Sequence, residues 1–335
     1  MKVEKIEGIK SVDFKIVAKG HGVVNWNGPT NLMLEGERGM TANNHTMPKL
    51  RGYSNLSGKV KEDTGYKYRK EASDIDFSKT PLYISANAVR FHMFKDDGLI
   101  DINKDEVKEN VDKLLCSLTG LVRGYVIAGK EYKRTSALLL EDLVDQLGNG
   151  NFEQMTKAGS KEKQKTKKGD EASNSLFSKT TFGDTLYEGY GSISIEQLQF
   201  IPVSDDFSRN AIKLNNDKDG ENLALKITDF LKQLNPEKSP LATYNKNYVR
   251  RGSIYNYGEA GILLNNDAID TLVNKTIELI ENLIIRQGRG YMYVDSLEVD
   301  YNDSSSAKNM MRIKTGSGEN NPSKQGTYAV YFEAR

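Results

Sequence analysis

The chain has 335 residues, 28% of them charged and 37% hydrophobic, enough to bury one elaborated core or two smaller ones. Its 47 basic and 46 acidic residues leave a net charge of +1, so nucleic-acid affinity would have to come from local segregation of charge. The single cysteine, Cys116, excludes a disulfide framework and a cysteine-rich zinc site, and no apolar run is long enough to span a membrane.

The opening "MKVEKIEGIKSVDF" alternates charged and apolar residues and does not read as a signal peptide; a cytoplasmic location is expected. Val12, Phe14, Ile16 and Ala18 alternate with polar residues and predict a first strand. A Gly- and Asn-rich turn, "KGHGVVNWNGPT", follows. Between Lys49 and Lys70, seven basic residues face only Glu62 and Asp63, with Tyr53, Tyr66 and Tyr68 interleaved. This stretch has no strong periodicity and reads as an inserted, loop-rich lobe. Helical spacing of Val107, Val111, Leu114, Leu115 and Leu118, with Asn103 as cap, predicts a helix. A shorter helix is predicted from Ser136 to Leu147, stopping at Gly148.

Residues 157–171 hold six lysines and no large apolar residue, the composition of a loop. Ile193 and Ile195 suggest a strand closed by Pro202. A helix is expected over Glu221–Leu234, with Pro236 just past its end. "NYVRRGSIYNYGEAGILLN" reads as two strands about a turn at Gly258. The strongest helical pattern starts at Asn266 or Asp267, runs through Ile269, Leu272, Val273, Thr276, Ile277, Ile280, Leu283 and Ile284, and ends near Gly288. A strand "YMYVDSLEVDY", a polar loop (302–326) and a last strand "TYAVYFE" complete the chain.

Long helices returning to mixed strands suggest an α+β fold with a ferredoxin-like or RRM-like core. The expected organisation is a discontinuous palm (1–48, 100–150 and 190–301), a basic lobe (49–99), a segment carrying the Lys-rich loop (151–189), and the polar loop with the C-terminal strand (302–335).

Several chemistries have no counterpart in the sequence. There is no G-x-x-x-x-G-K-[ST] loop and no G-x-G-x-x-G turn to cradle phosphates. Asn215, Asp217, Asp219 and Gly220 have calcium-loop spacing, but Lys226 stands where a bidentate carboxylate is required, so this is a polar turn. His21, His45 and His92 lie far apart in the sequence and form no close metal pair, and no metal or cofactor is expected. Asp295, Glu298, Asp300 and Asp303 read as a solvated or partner-facing acidic strip. An RNA-cleaving role for His21 or His45 as general base is the alternative to a binding role. Trp26 reads first as a packing anchor and second as a stacking platform.

"RGYMYVDS" (289–296) matches much of an RNA-binding strand signature. Strand alternation points Tyr291 and Tyr293 one way and Met292 and Val294 the other; the tyrosines either stack bases or pack protein. Arg286, Gln287 and Arg289 lie at the preceding junction, where Gly288 and Gly290 would admit a close phosphate. Arg250-Arg251-Gly252 is a second basic junction and Lys179 a third, with Lys49 and Arg51 opening the basic lobe. Adjacent arginines can grip successive phosphates. These clusters, each beside Gly or an aromatic residue, are expected to converge on one groove.

The segments "GIKSVDFKI", "HGVVNWNGPT", "PKLRGY", "LLLEDLVDQLGNGNFEQ", "SKTTFGDT", "YGSISIEQLQF", "NYVRRG", "GILLN", "GYMYVD" and "VDYNDS" resemble the repeating backbone subunit of CRISPR surveillance complexes (Cascade) in the RAMP superfamily. Within it they resemble the type I-F variant that lacks a separate large subunit. The resemblance implies an RRM-like palm with an inserted lobe and a protruding thumb hairpin. It implies copies aligned along one CRISPR RNA with other Cascade subunits at its ends, guide bases exposed to target DNA, and no nuclease activity of the subunit itself. It assigns the thumb to "LFSKTTFGDTLYEGY", where Phe177, Phe182 and Tyr187 are candidates to wedge between bases. His21, Trp26, Lys49, Arg51, Lys179, Arg250, Arg251, Arg286, Gln287 and Arg289 become RNA-binding candidates. Lys163, Lys165, Lys167 and Lys168 become candidates for a DNA contact.

Overall fold

The predicted apolar alternation at Val12–Ala18 forms the central strand β1 (Ser11–His21), with Val12, Phe14, Ile16 and Ala18 fully buried on one face. The computed structural model describes residues 6–26, 30–36, 39–45, 49–54, 59–62, 65–68, 78–97, 107–127, 132–149, 151–154, 164–165, 171–172, 179–204, 211–287, 290–306 and 311–335.

After β1 come the hairpin β2 (Thr30–Gly36) and β3 (Gly39–His45) and the ribbon β4 (Tyr53–Ser54), β5 (Lys59–Glu62) and β6 (Gly65–Tyr68). Next are β7 (Tyr83–Ile84), helix α1 (Ala86–Phe94) and helix α2 (Val107–Leu115), then a π-helical turn at Thr119–Arg123. Four short strands follow: β8 (Tyr125–Ile127), β9 (Tyr132–Arg134), β10 (Leu138–Leu140) and β11 (Leu143–Asp145). An arm carries β12 (Asn151–Gln154), β13 (Gln164–Lys165), β14 (Glu171–Ala172) and β15 (Lys179–Phe182). The long strand β16 (Asp184–Ser194), helix α3 (Ile195–Gln199), β17 (Phe200–Pro202), helix α4 (Asp217–Leu234), β18 (Ala242–Arg250) and β19 (Glu259–Leu264) come next. Helix α5 (Asn266–Glu281), β20 (Ile284–Gln287), β21 (Gly290–Asn302), the single turn α6 (Arg312–Thr315) and β22 (Phe332–Ala334) end the chain.

The main sheet runs β20–β21–β1–β16–β11–β7, with β10 also on β16. Its pairings are antiparallel, and β1 is bonded along its whole length to both neighbours, Ser11 opposite Ser194 and Asn302, His21 opposite Asp184 and Tyr291. A second antiparallel sheet, β17–β19–β18–β22, shares with it a core that includes Phe14, Ile16, Ile193, Leu272, Ile262 and Phe332. The fold is therefore mixed α+β, as expected. Asparagines and serines start the helices: Asn216 accepts from the Asp219 amide at 3.0 Å, Asn265 from Ala268 at 2.9 Å, and Ser85 from Ala88 at 3.3 Å. The apparent calcium loop is thus the capped start of α4.

Four local expectations are corrected. Residues 136–147 form β10 and β11 instead of a helix, because Leu138 pairs with Ile193 and Leu143 with Ile84 at the sheet edge; tertiary pairing outweighs the propensity of a short leucine run. α5 is capped by Asn265, one residue before the expected cap, and ends at Glu281, since Ile284–Gln287 pair with β21. Ile195 opens α3, capped by Ser194, instead of extending a strand. β7 and α1, expected in the inserted lobe, belong to the main sheet and its core, where Ile84, Val89 and Phe94 are buried. The Asn103 cap lies outside the described residues.

Of the acidic strip, Asp295, Glu298 and Asp303 are exposed, as read from the sequence, but Asp300 is not. The fully buried Asp300 receives two hydrogen bonds of 2.8 Å from Arg312 and a third from the Asn321 amide. Asp303 lies 3.6 Å from the same arginine, and Asp295 is paired with Lys19. Arg312 therefore clips residues 311–321 to one end of the sheet, where Asp13 accepts from Ser192 (2.6 Å) and Asn302 (2.9 Å).

Arg312→Ala should lower the unfolding free energy in urea by about 3–5 kcal/mol, because Asp300 is left buried without its partner; an unchanged midpoint and slope would show the clip to be dispensable. Burial, aided by Asp112, pushes the Cys116 thiol up to about 11. Its alkylation by iodoacetamide at pH 8 should be at least roughly tenfold slower in the folded protein than in urea, since the thiolate is the nucleophile.

Candidate nucleic-acid interface

Residues of β1 that do not face the core line the opposite, open face of the main sheet. A register shift between Val17 and Ala18 leaves Asp295 as the extra residue of a bulge in β21. Past it, Tyr293 lies opposite Lys19 and Tyr291 opposite His21, while Met292 between them is fully buried. Tyr291 is 49% and Tyr293 42% exposed, so the alternation read from the sequence holds in space. Edge strand β20 adds the exposed Arg286 beside Tyr291, and Gln287 beside Gly290.

His21 Nδ1 stands 3.0 Å from the Asp184 carboxylate, which accepts from its N–H, and its ring stacks on Tyr291 with centroids 6.4 Å apart at 29°. Lys19 bonds Asp295 at 2.9 Å, which holds its ammonium above the usual lysine range. Two aromatic faces, an imidazole and two cations thus share one patch drawn from three strands. Such a set stacks bases and holds phosphates without reading sequence.

At the other end of the same face lies a groove of 820 Å³. Lys10, Tyr190, Arg250, Arg251, Tyr331 and the serines 304–306 line it. Arg250 is engaged: its guanidinium forms a forked pair with Glu196 at 2.7 and 3.2 Å and sits 5.7 Å from the Tyr331 ring centre. The hydrogen bond it donates to Glu196 raises its pKa further. Midway between the two ends, Lys15 bonds Glu188 at 3.1 Å. The predicted cations therefore do not form one continuous positive channel. Arg250 and Arg251 fall at one end and Arg286 at the other of a sheet about 33 Å long, with paired charges between them.

Other predicted residues take different places. Trp26 packs partly buried against the core and donates its indole N–H to the Val23 carbonyl at 3.1 Å. Lys49 exchanges backbone bonds with Asn25 and Tyr83, and Arg51 reaches Asp142 at 3.4 Å. The close approach expected at Gly290 is made by the chain itself: an added Cβ would stand 2.5 Å from the Val23 carbonyl oxygen. Tyr187 is no wedge at a hairpin tip. It sits within β16, 2% exposed in the core, and burial pushes its phenol well up. The strand begins at Asp184, earlier than the thumb was expected to end, because β16 must pair with β1 along its whole length.

The arm before it pairs Lys179 with Gln154 and Phe182 with Asn151; farther out, Lys165 pairs with Glu171. Phe177, Lys163, Lys167, Lys168 and Arg289 lie outside the described residues, and His45 is placed only as the end of β3, opposite Thr30. Lys10, Lys19 and Tyr190 escaped the sequence reading. The alternation of β1 marks Lys19 as sharing a face with His21, but Lys10 and Tyr190 meet the groove only through tertiary folding. The hairpin turn after Arg250–Gly252 also exposes Ile254, Tyr255 and Tyr257, which no periodicity singles out. Among the described residues, no cluster of three His, Cys, Asp or Glu side chains suits a metal ion, and no helix is long and apolar enough to cross a membrane.

Solved structures that align with the chain include two whose descriptions bear on it. One, described as a CRISPR RNA-guided surveillance complex, covers 81% of this chain and 84% of its own at 12% identity and a TM-score of 0.27. Another, described as a CRISPR RNA-guided surveillance complex, pre-nicking, covers 70% and 76% at 10% identity and a TM-score of 0.23. Superpositions this loose carry no inference about the fold. No curated protein matches the chain. The family model described as type I-Fv CRISPR-associated protein Cas7fv-like matches residues 8–335, the whole span of the segments that carry the sequence resemblance and the C-terminal residues beyond it. The chain belongs to the Cas7fv-like family of type I-Fv CRISPR-associated proteins.

Proposed function

We propose that this protein is a non-catalytic backbone subunit of a CRISPR surveillance complex, which lines up with copies of itself along CRISPR RNA and holds the RNA while its bases pair with target DNA. The observation that carries the reading is the open patch of Lys19, His21, Arg286, Tyr291 and Tyr293 on the main sheet. Stacking rings and cations without a base-reading amide set suit a sequence-neutral grip, and specificity then rests on base pairing.

The strand order supports treating the main sheet as a ferredoxin-like palm. β21–β1–β16–β11 is antiparallel, α1 and α2 lie between β1 and β10 in the chain, and α5 lies between β16 and β21. The β12–β15 arm, leaving the sheet at Gly183, is the counterpart of a thumb. Arg250 serves the RNA by exchanging Glu196 for a phosphate: an exposed pair contributes only about 0–1 kcal/mol, so a phosphate can replace the carboxylate at low cost. Contacts between successive copies use the exposed apolar turn at Ile254–Tyr257, and other subunits of the complex close the two ends of the RNA.

Mixed with CRISPR RNA, the purified protein should form particles whose length in electron micrographs follows the length of the RNA. Tyr291→Ala with Tyr293→Ala should weaken RNA binding by about 1–3 kcal/mol per lost stack. Lys19→Ala with Arg286→Ala should weaken all sequences alike and reduce the salt slope by about 0.7 per lost phosphate contact. Unchanged affinity and slope in both pairs would remove the open face from the RNA path. The RNA should stay intact at saturating protein; cleavage abolished by His21→Ala would instead establish the endoribonuclease alternative.

A further inference from the structure

On the helix side of the sheet, apart from the open face and the groove, α1 and the β8–β9 hairpin enclose a recess of 480 Å³. Arg90, Arg123, Lys133 and Arg134 line it together with Asn87 and Ser136, and among the described residues that line it none is a carboxylate. That is unusual in this chain, where Lys15, Lys19, Arg250, Lys314 and Arg312 each have an acidic partner.

Two of the four cations are held in place by carbonyl and amide oxygens. Arg134, 8% exposed, donates to the carbonyls of Phe200 (2.9 Å), Gln197 (2.9 Å) and Leu121 (3.4 Å). Arg90 donates to Asn87 (3.2 Å) and to the Leu138 carbonyl (3.3 Å). The Nε of each is buried and meets no acceptor among the described residues. Arg123 lies close enough to Arg90 that its charge adds to burial in pushing the Arg90 guanidinium down, and burial alone pushes Arg134 down to about 10. Like charges gathered in a partly desolvated recess are repulsive unless an anion joins them.

We infer that this recess binds a backbone phosphate of a nucleic-acid strand, on a track separate from the open face. Guanidinium forks match the two free oxygens of a phosphodiester. The recess holds about sixteen times the volume of a single liquid water, room for a phosphate with its sugar and more than a carboxylate side chain needs. Strand β10 separates the two tracks: Leu139 lines the groove on the open face, while the Leu138 carbonyl is held by Arg90 at the recess. Val126, 79% exposed on the hairpin beside the recess, offers an apolar contact for a sugar or base.

The test uses the full-length protein, with CRISPR RNA bound and again without it, so that failure of the RNA reading leaves this result standing. A fluorescein-labelled single-stranded DNA with no complement to the guide is titrated by anisotropy at several salt concentrations. Arg123→Ala with Lys133→Ala, which removes the two side chains that have no hydrogen bond or ion pair among the described residues, should weaken DNA binding roughly tenfold at low salt and reduce the salt slope by about 0.7, one phosphate contact's worth. RNA binding should change less than it does in the Lys19→Ala and Arg286→Ala pair. DNA affinity and slope equal to wild type would overturn the proposal. So would inorganic phosphate raising the melting temperature of wild type but not of the double variant while DNA binding is unaffected, which would leave a site for a free ion. Displacement of the DNA by polyglutamate as efficiently as by unlabelled DNA would assign the recess to an acidic protein partner and also overturn it.

Discussion

Strand β1 is bonded to β16 on one side and β21 on the other from its first residue to its last, and this double pairing sets the terms for the rest of the molecule. A strand enclosed on both edges has only its two faces left to use. Val12, Phe14, Ile16 and Ala18 commit one face to the core. The other face must then carry whatever the polar positions hold. One end is covered by residues 302–306 and 311–321, clipped by Arg312 on Asp300, and the other stays open with His21 and Lys19 beside Tyr291 and Tyr293. The bulge at Asp295 matters here. It lets Tyr291 and Tyr293 share the face of His21 and Lys19 while bringing a carboxylate to the Lys19 ammonium.

The near-zero net charge has a structural counterpart. Most described cations on the open face and around the groove have a carboxylate partner supplied by the same chain: Glu188 for Lys15, Asp295 for Lys19, Glu196 for Arg250. These pairs are exposed enough to add little stability, so an incoming phosphate can replace a carboxylate without a large penalty. Internal pairing also weakens long-range attraction between separate copies and stray polyanions. The Arg90, Arg123, Lys133 and Arg134 recess departs from this arrangement, and the contrast with the paired cations gives it weight that a basic cluster on an ordinary surface would lack.

Local pattern determined much of this protein. The alternation in β1, the paired strands on either side of Gly258, the stripes of α4 and α5 and the outward direction of Tyr291 and Tyr293 are all written in residues close in sequence, because a strand or helix repeats its faces at a fixed period. The family was legible for the same reason: long segments retain their resemblance whatever their tertiary surroundings. The tertiary structure alone decided that Leu138–Asp145 would pair as strands, since their partners Ile193 and Ile84 lie some 55 residues away on either side. It placed Tyr187 in the core, gave the space beside Gly290 to Val23, separated Arg250 and Arg251 from Arg286 by the length of a sheet, and gathered Arg90, Arg123 and Lys133 into one recess. The physical reason is common to all of these. Which face an alternating residue shows is settled by its neighbours in the chain, but which charge, ring or carbonyl then stands opposite it depends on contacts between distant segments, and those exist only once the core has closed.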